Sequence, residues 1–131
     1  MPREIVWDDS DVTTTLLIVD DHAGFRRFAR KLLEAAGYDV VGDAADGASA
    51  VAAVRSLKPD VVLLDVLLPD TSGFEVAERL SEVAERPLVV LTSSRSAADL
   101  GERVQRSPVR GFISKSELTV ASFAALAGAA T

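Results

Sequence analysis

The chain has 131 residues, a length that fits one domain with a real hydrophobic core, and 48% hydrophobic and 26% charged residues are ordinary for a globular protein. The absence of cysteine excludes disulfides, thiolate metal sites and a cysteine nucleophile, and it fits a reducing cytoplasm. A net charge of −6 makes the domain alone a poor binder of nucleic-acid phosphates, and the longest apolar stretch, Val61–Pro69, is too short to cross a membrane.

Residues 1–13 precede the first patterned segment. They lack the order of a signal peptide, in which a basic stretch is followed by an apolar one and then by small residues. We interpret residues 1–13 as a short leader and residues 14–131 as the folded domain, which we expect in the cytoplasm.

Strand patterns recur five times along the rest of the chain. Each is a short run rich in Val, Ile and Leu, which is typical of a parallel strand buried on both faces. The predicted strands lie at about Thr15–Asp20, Asp39–Asp43, Val61–Asp65, from Pro87 onward, and at Val109–Ser114.

A helix pattern follows each strand, with apolar residues spaced so that they share one face. We expect Gly37 to end the first helix, and Ser96 to begin the fourth with Asp99 at its third position. The first helix carries its charged residues, among them Arg26, on the opposite face. The residues expected to face the core are Phe25, Phe28, Ala29, Leu32, Leu33 and Ala36 in the first helix, Val51, Val54 and Leu57 in the second, Val76, Leu80 and Val83 in the third, and Leu100 and Val104 in the fourth.

Five consecutive strand–helix units predict an α/β fold. Because crossovers between parallel strands are right-handed, the helices should cover both faces of the sheet. We expect a five-stranded parallel sheet in a doubly wound, flavodoxin-like arrangement. In such sheets, ligands bind at the carboxyl ends of the strands.

Polar side chains stand at the carboxyl ends of four predicted strands. Taken singly, an acidic pair there is more often a solvated loop or a helix cap, a threonine bonds to its own backbone, and a lysine is exposed. Their succession at one edge of a parallel sheet favours a shared site instead. The residues are Asp20 and Asp21 after the first strand, Asp65 after the third, Thr92 after the fourth and Lys115 after the fifth.

Asp65 interrupts the apolar run VVLLDVLLP, where a carboxylate costs several kcal/mol unless an ion or hydrogen-bond donors meet it. If Asp20 and Asp21 lie beside it, the three negative charges need a divalent cation. Oxygen ligands suit Mg²⁺, and a chain without cysteine and with one histidine is not expected to hold zinc. We expect that histidine, His22, on the solvated rim of the site rather than on the metal.

Together these segments resemble the receiver domain of two-component response regulators over about residues 15–130. The stretches that carry the resemblance are LLIVDDHAGFRRFARKLLEAAG, VVGDAADGASA, PDVVLLDVLLPDTSGFE, RPLVVLTSS and GFISKSEL. The last stretch resembles receivers that precede a helix-turn-helix DNA-binding domain, the NarL/LuxR-like group, although Ser116 stands where many receivers have proline. Two interpretations stay open, a single-domain regulator or the receiver of a longer DNA-binding regulator.

The resemblance implies that Asp65 accepts a phosphoryl group from the phosphohistidine of a kinase or phosphotransfer protein. It implies no catalysis beyond the domain's own phosphorylation and dephosphorylation. Pro69 and Gly73 match the loop that follows the acceptor. The implied Mg²⁺ ligands are Asp20, Asp21, Asp65 and the backbone carbonyl of Leu67, Lys115 is implied to pair with the phosphoryl group, and the implied switch residues are Thr92 and Phe112.

The final helix is unusual because no residue from Leu118 to Thr131 is charged. Phe123 belongs to a stripe that should face the sheet, while the reverse side, with Ala121, Ala125 and Gly128, is small and uncharged. This side is either a contact surface for a second copy or a partner, continuous with the fourth helix and fifth strand, or simply an alanine-rich helix face.

Other classes of protein remain to be weighed. A pseudo-receiver that works without phosphate is disfavoured because all the polar positions above are filled. An FMN protein of flavodoxin type would offer a Ser, Thr and Gly loop where the first strand here ends in two acids. A phosphatase with an aspartyl nucleophile would carry a second carboxylate two residues after Asp65, where Leu67 stands.

Overall fold

Five β-strands alternate with five α-helices, and the strands form one parallel sheet. The computed structural model describes residues 13–131, so the predicted leader lies, apart from Thr13, outside the described residues. The elements are β1 (Thr15–Val19), α1 (Ala23–Ala35), β2 (Asp39–Ala44), α2 (Gly47–Leu57), β3 (Val61–Asp65), α3 (Gly73–Leu80), β4 (Leu88–Ser93), α4 (Ala97–Arg106), β5 (Gly111–Ser114), a 3₁₀ turn (Lys115–Glu117) and α5 (Val120–Ala127).

The strand order in the sheet is β2-β1-β3-β4-β5, and every neighbouring pair is parallel. The chain therefore reverses its direction of winding after β2, so β1 and β3 are neighbours and their carboxyl ends meet. The predicted doubly wound α/β fold is confirmed. The reversal beside β1 and β3 is the kind of crevice where such sheets bind ligands.

Alternation along the strands builds a separate core on each face of the sheet. Leu17 and Val19 of β1 pack under α2, α3 and α4, whereas Leu16 and Ile18 pack under α1 and α5. Because successive strand residues point to opposite faces, one strand serves both cores. The strand residues named here are fully buried in both cores.

Two residues predicted to face the core are largely exposed. Phe28 is 51% exposed, because it lies one residue, about 100°, around α1 from the buried Ala29, with its ring centre 6.1 Å from that of Phe25. Leu57 is 44% exposed because it ends α2 over the edge strand β2, where its Cδ1 atom lies close to Gly42.

Several boundaries differ from the predicted ones by a few residues. The β5 strand begins at Gly111, because the N–H of Val109 closes a tight turn to the carbonyl of Ser107. The α3 helix ends at Leu80, so Val83 packs against the core from the following loop. Gly37, at φ 103°, ends α1 as predicted, and the Ser96 backbone and hydroxyl contact Asp99 in the predicted cap of α4.

The α4 helix is kinked at Gly101, whose backbone is non-helical at φ 29° and ψ −108°. Glycine adopts this conformation with little steric cost because it lacks a Cβ atom. Among the described residues no helix is long and apolar enough to cross a membrane.

Candidate functional site

The carboxyl ends of β1, β3, β4 and β5 bring the predicted polar residues together. Asp20 follows β1 and is fully buried, and Asp65 ends β3 with only 3% of its surface exposed. Asp65 pairs in register with Thr92 of β4. Lys115 follows β5 directly and reaches across the strand ends to both acids.

Lys115 is the hub of this cluster. Its Nζ lies 2.7 Å from Asp20 Oδ2 and 3.4 Å from Asp65 Oδ2, and it sits 4.6 Å from the centre of the Phe25 ring. Burial disfavours the charged form of the amine, but contacts with the two carboxylates outweigh burial and raise the pKa of Lys115. The ammonium is therefore charged at neutral pH and fixed in place.

The environment of Asp65 opposes its ionisation. Burial, followed by the charge of Asp20, raises the pKa of Asp65 from 3.8 to about 6, although the Leu67 N–H and Lys115 act in the opposite direction. The Leu67 N–H donates to Asp65 Oδ1 over 3.2 Å. One ammonium thus does not fully compensate the buried carboxylates, and the site favours a further positive charge.

Asp20, Asp21 and His22 occupy the turn between β1 and α1. Asp20 Oδ1 accepts the His22 backbone N–H over 2.8 Å, and His22 Nδ1 lies 3.2 Å from Asp20 Oδ1 and 3.1 Å from Asp21 Oδ1. One ligand atom from each of Asp20, Asp21, His22 and Asp65 lies within 4.8 Å of the others. This acidic cluster could hold a metal ion, and its carboxylate oxygens fit a hard divalent cation.

Thr92 carries a buried hydroxyl that has no hydrogen-bond partner within residues 13–131. An unpaired buried hydroxyl costs free energy of folding. Its position beside Asp65 therefore suits a hydrogen bond to a bound ligand. Phe112, the predicted switch residue, is half-buried and is paired in register with Leu91, the residue before Thr92. Thr92 and Phe112 therefore lie on adjacent strands.

The loop between β3 and α3 is tightly closed at its ends. Gly73 donates to the Val66 carbonyl over 2.6 Å, and a Cβ atom at Gly73 would collide with the carbonyl oxygen of Asp65. Leu67 and Ser72 form an isolated antiparallel bridge across the loop. Close backbone approach explains the glycine here, and the Leu67 side chain is left 74% exposed at the mouth of the site.

Asp70 anchors the tip of this loop to α2. Its two carboxylate oxygens accept the N–H groups of Gly47 and Ala48 over 2.8 and 3.1 Å. The bond from Gly47 is the main cause that lowers the pKa of the Asp70 carboxyl. This role of Asp70 could not be predicted, because the sequence of the PDTSG turn does not indicate which helix its carboxylate will cap.

Arg26 lies closer to the site than its position in the sequence predicts. It was expected on the solvent face of α1, but its Nη1 donates to the backbone carbonyl of Asp20 over 2.6 Å and its Nε lies 3.7 Å from Asp43 Oδ2. Arg26 thus ties the turn that carries Asp20 and Asp21 to the end of β2. Helical spacing alone could not reveal a contact made back across the turn.

A cleft of about 490 Å³ opens onto this cluster between the β3–α3 loop and the start of α4. The residues that line it include Asp65, Lys115, Leu67 and Arg103. Arg103 is fixed by stacking its guanidinium 4.2 Å above the Phe74 ring.

The reverse side of α5 is exposed, as predicted. Phe123 is fully buried against Tyr38, at 5.1 Å between ring centres, while Ala121, Ala125 and Gly128 face away from the core.

Known proteins match this chain over most of its length. The sequence model of the response regulator receiver domain matches residues 16–124. Transcriptional regulatory protein PdtaR of Mycobacterium tuberculosis is 35% identical over 107 residues, covering 82% of this chain and 52% of that protein. Chemotaxis protein CheY of Thermotoga maritima is 28% identical over 100 residues, covering 76% of this chain and 83% of that protein.

The fold likeness extends to solved structures. The crystal structure of a LuxR-family two-component response regulator from Aurantimonas sp. SI85-9A1 has a TM-score of 0.77 and 28% identity, covering 90% of this chain and 88% of that one. This chain spans about half the length of PdtaR and of the other transcriptional regulators it matches first. With the family model covering residues 16–124, the chain belongs to the response regulator receiver domain family and is a receiver domain of two-component signal transduction.

Proposed function

We propose that Asp65 of this receiver domain accepts a phosphoryl group, with Mg²⁺ bound, from the phosphohistidine of a kinase or phosphotransfer protein in the cytoplasm. The observation that carries this proposal is the Lys115 ammonium bridging Asp20 and Asp65 at 2.7 and 3.4 Å, beside the unpartnered hydroxyl of Thr92. A carboxylate, an ammonium and an unpaired hydroxyl are complementary to one phosphoryl group.

The chemistry is an in-line displacement at phosphorus. A carboxylate oxygen of Asp65 forms the new P–O bond while the P–N bond of the phosphohistidine breaks, and the imidazole leaves with the bonding electron pair. Water later cleaves the acyl phosphate and releases inorganic phosphate. The cleft supports this proposal because Asp65 and Lys115 both line it, so a phosphoryl group that enters it meets both side chains.

Charge at the site is the main obstacle to this reaction, since Asp20, Asp21 and Asp65 repel both one another and the phosphoryl oxygens. Mg²⁺ held by these three acids and by the backbone carbonyl of Leu67 would supply the missing positive charge. The oxygen-rich donor set and the raised pKa of Asp65 support a hard cation here.

Two side chains then serve the phosphoryl oxygens directly. Lys115 is already fixed beside Asp65, so its ammonium pairs with one oxygen without reorganising. The Thr92 hydroxyl donates to another oxygen and gains its missing hydrogen bond. Both contacts stabilise the negative charge that is spread over the oxygens of the phosphoryl group during transfer.

The output follows from the movement of Thr92. Drawing Thr92 towards the phosphoryl group changes the space beside Phe112 on the next strand. This change biases the equilibrium between an inactive and an active conformation of the face formed by α4, β5 and α5. This face then binds a second copy or a downstream partner. The downstream partner is a separate protein if this is a single-domain regulator, and the DNA-binding domain if it is the receiver of a longer regulator.

Incubation with acetyl phosphate tests the proposal. With Mg²⁺, we expect an intact-mass increase of one phosphoryl group that is lost on mild base treatment, because acyl phosphates are base-labile. EDTA should abolish the increase. A protein that gains the same mass with EDTA as with Mg²⁺ would contradict the metal-assisted mechanism, and one that gains none would contradict the function.

A further inference from the structure

We infer that His22 is a further ligand of the cation held by the acidic cluster, and that its ring nitrogen adds more affinity for first-row transition cations such as Mn²⁺, Co²⁺ and Zn²⁺ than for Mg²⁺. This inference rests on the proposed function because it takes the same acidic cluster as the cation site. The sequence analysis expected His22 on the solvated rim, and its side chain is indeed 70% exposed. Exposure, however, does not separate its ring from the acids.

The position of the ring supports the inference. His22 Nδ1 lies 3.1 Å from Asp21 Oδ1 and 3.2 Å from Asp20 Oδ1. One ligand atom of His22 lies within 4.8 Å of one ligand atom of each of Asp20, Asp21 and Asp65. Ligand atoms around one transition ion stand about 2.0–2.2 Å from it, and hence up to roughly 4 Å apart. A ring that is mostly solvent-exposed can make the small remaining adjustment.

The backbone holds His22 in this position independently of its side chain. The His22 N–H donates to Asp20 Oδ1 over 2.8 Å, and the His22 carbonyl accepts the Arg26 N–H over 3.1 Å. His22 is also the N-cap residue of α1, yet its side chain makes no capping hydrogen bond. The imidazole is therefore not used to cap the helix, and it faces the acids of the cluster, Asp20 and Asp21, instead.

The chemistry of imidazole sets the preference. A neutral ring nitrogen is a good ligand for Mn²⁺, Co²⁺ and Zn²⁺, whereas Mg²⁺ is bound by oxygens and keeps several waters. A nitrogen added to three carboxylates thus raises affinity for transition cations and adds little for Mg²⁺. His22 acts as the residue that determines metal specificity.

Because His22 is the only histidine in the chain, its ring can be observed without ambiguity. Long-range ¹H–¹⁵N NMR spectra recorded during Zn²⁺ and Mg²⁺ titrations at fixed pH should show a large shift of the Nδ1 resonance with Zn²⁺ and none of that kind with Mg²⁺. A Zn²⁺-saturated protein with unchanged imidazole nitrogens would overturn the inference.

Calorimetric titration of variants gives the second readout. We expect His22→Ala to weaken Zn²⁺ and Mn²⁺ binding by at least about tenfold and Mg²⁺ binding by less than about twofold. The control is Asp39→Asn, since Asp39 is exposed at the opposite edge of the sheet and should change neither affinity. If His22→Ala lost the same affinity for all three cations, His22 would act only through the general electrostatic field of the site, and the inference would be overturned.

The two proposals fail separately. A protein that binds Zn²⁺ through His22 but gains no base-labile mass with acetyl phosphate would contradict the proposed function and keep the ligand assignment. A protein phosphorylated with Mg²⁺ whose imidazole ignores Zn²⁺ would do the reverse.

Discussion

At the residue scale, the ionised Asp65 carboxylate is destabilised by the fold that positions it. A carboxyl whose pKa is raised from 3.8 to about 6 on folding binds protons more tightly in the folded state. Its contribution to stability is therefore complete below about pH 4 and is lost as the pH rises through 6. The shift corresponds to about 3 kcal/mol of free energy of unfolding.

Asp65→Asn should therefore stabilise the metal-free protein. In EDTA at pH 7.5, we expect its free energy of unfolding to exceed that of the wild type, by up to about 3 kcal/mol, because the amide carries no buried charge. The gain should shrink towards zero as the pH falls from 6 to 4. Urea unfolding across this range measures it, and a gain that does not depend on pH would show that charge is not its cause.

The Thr92 hydroxyl is the other residue kept at a cost to stability. Thr92→Val removes an unpaired buried polar group and should raise the free energy of unfolding by about 1 kcal/mol. Thr15→Val is the matched control, because the Thr15 hydroxyl donates to Asp60 Oδ2 over 3.1 Å and accepts the Asp60 N–H over 2.9 Å, so the same swap should destabilise. Urea unfolding of both variants separates the two cases, and destabilisation by Thr92→Val would reveal a partner for that hydroxyl.

At the scale of elements, the turn between β1 and α1 is held by a side chain from the helix itself. Arg26 donates to the Asp20 carbonyl over 2.6 Å and faces the Asp43 carboxylate at 3.7 Å. The turn carries two of the proposed metal ligands, so its rigidity decides how well their carboxylates converge.

We expect Arg26→Ala to lower the free energy of unfolding by about 1–3 kcal/mol, because a charge-assisted hydrogen bond is lost, and to weaken Mg²⁺ binding. Arg26→Lys should restore part of both. Arg27→Ala, at the exposed neighbouring position, is the control and should alter neither. Urea unfolding and Mg²⁺ titration are the measurements; full Mg²⁺ affinity in Arg26→Ala would remove its positioning role.

How far the elements could be predicted depended on the range of the interactions that fix them. The strands and the convergence of Asp20, Asp65, Thr92 and Lys115 follow from apolar runs and from one rule of parallel sheets, so they could be predicted. Arg26 could not be placed, since its contact is made across a turn whose path depends on the whole fold.

Asp70 and Phe28 illustrate the same limit. Asp70 caps α2 through the first residue of that helix, which lies 23 positions earlier in the chain. Phe28 has the spacing of a core residue but is exposed, because helical spacing does not show how much of the apolar face is covered by other elements. The roles of the site residues in phosphoryl transfer stay predictions until they are measured.

At the scale of the whole molecule, the site and the uncharged face of α5 lie on different parts of the domain. The site lies at the carboxyl edge of the sheet, and the uncharged face of α5 with Ala121 and Ala125 lies outside the core formed with α1. In the proposed output, phosphorylation would act through α4, β4 and β5, and a coupling free energy of about 1–3 kcal/mol is typical for such a linkage.

We expect the beryllofluoride-bound protein to self-associate or to bind its partner more tightly than the free protein. Ala125→Glu should weaken this association, because it places an unpaired charge in the contact. The exposed Ala52 of α2 provides the matched control, and Ala52→Glu should leave association unchanged. Sedimentation velocity with and without beryllofluoride is the measurement, and equal association of both variants would move the output to another face.

The central claim is that Asp65 alone receives the phosphoryl group, and peptide mapping of the phosphorylated protein tests it most directly. Wild type and the control Asp39→Asn, treated with acetyl phosphate and Mg²⁺, should carry the group on the peptide that contains Asp65, and Asp65→Asn should carry none. Labelling of Asp65→Asn, or a group mapped to Asp70 or to a serine in wild type, would contradict the claim.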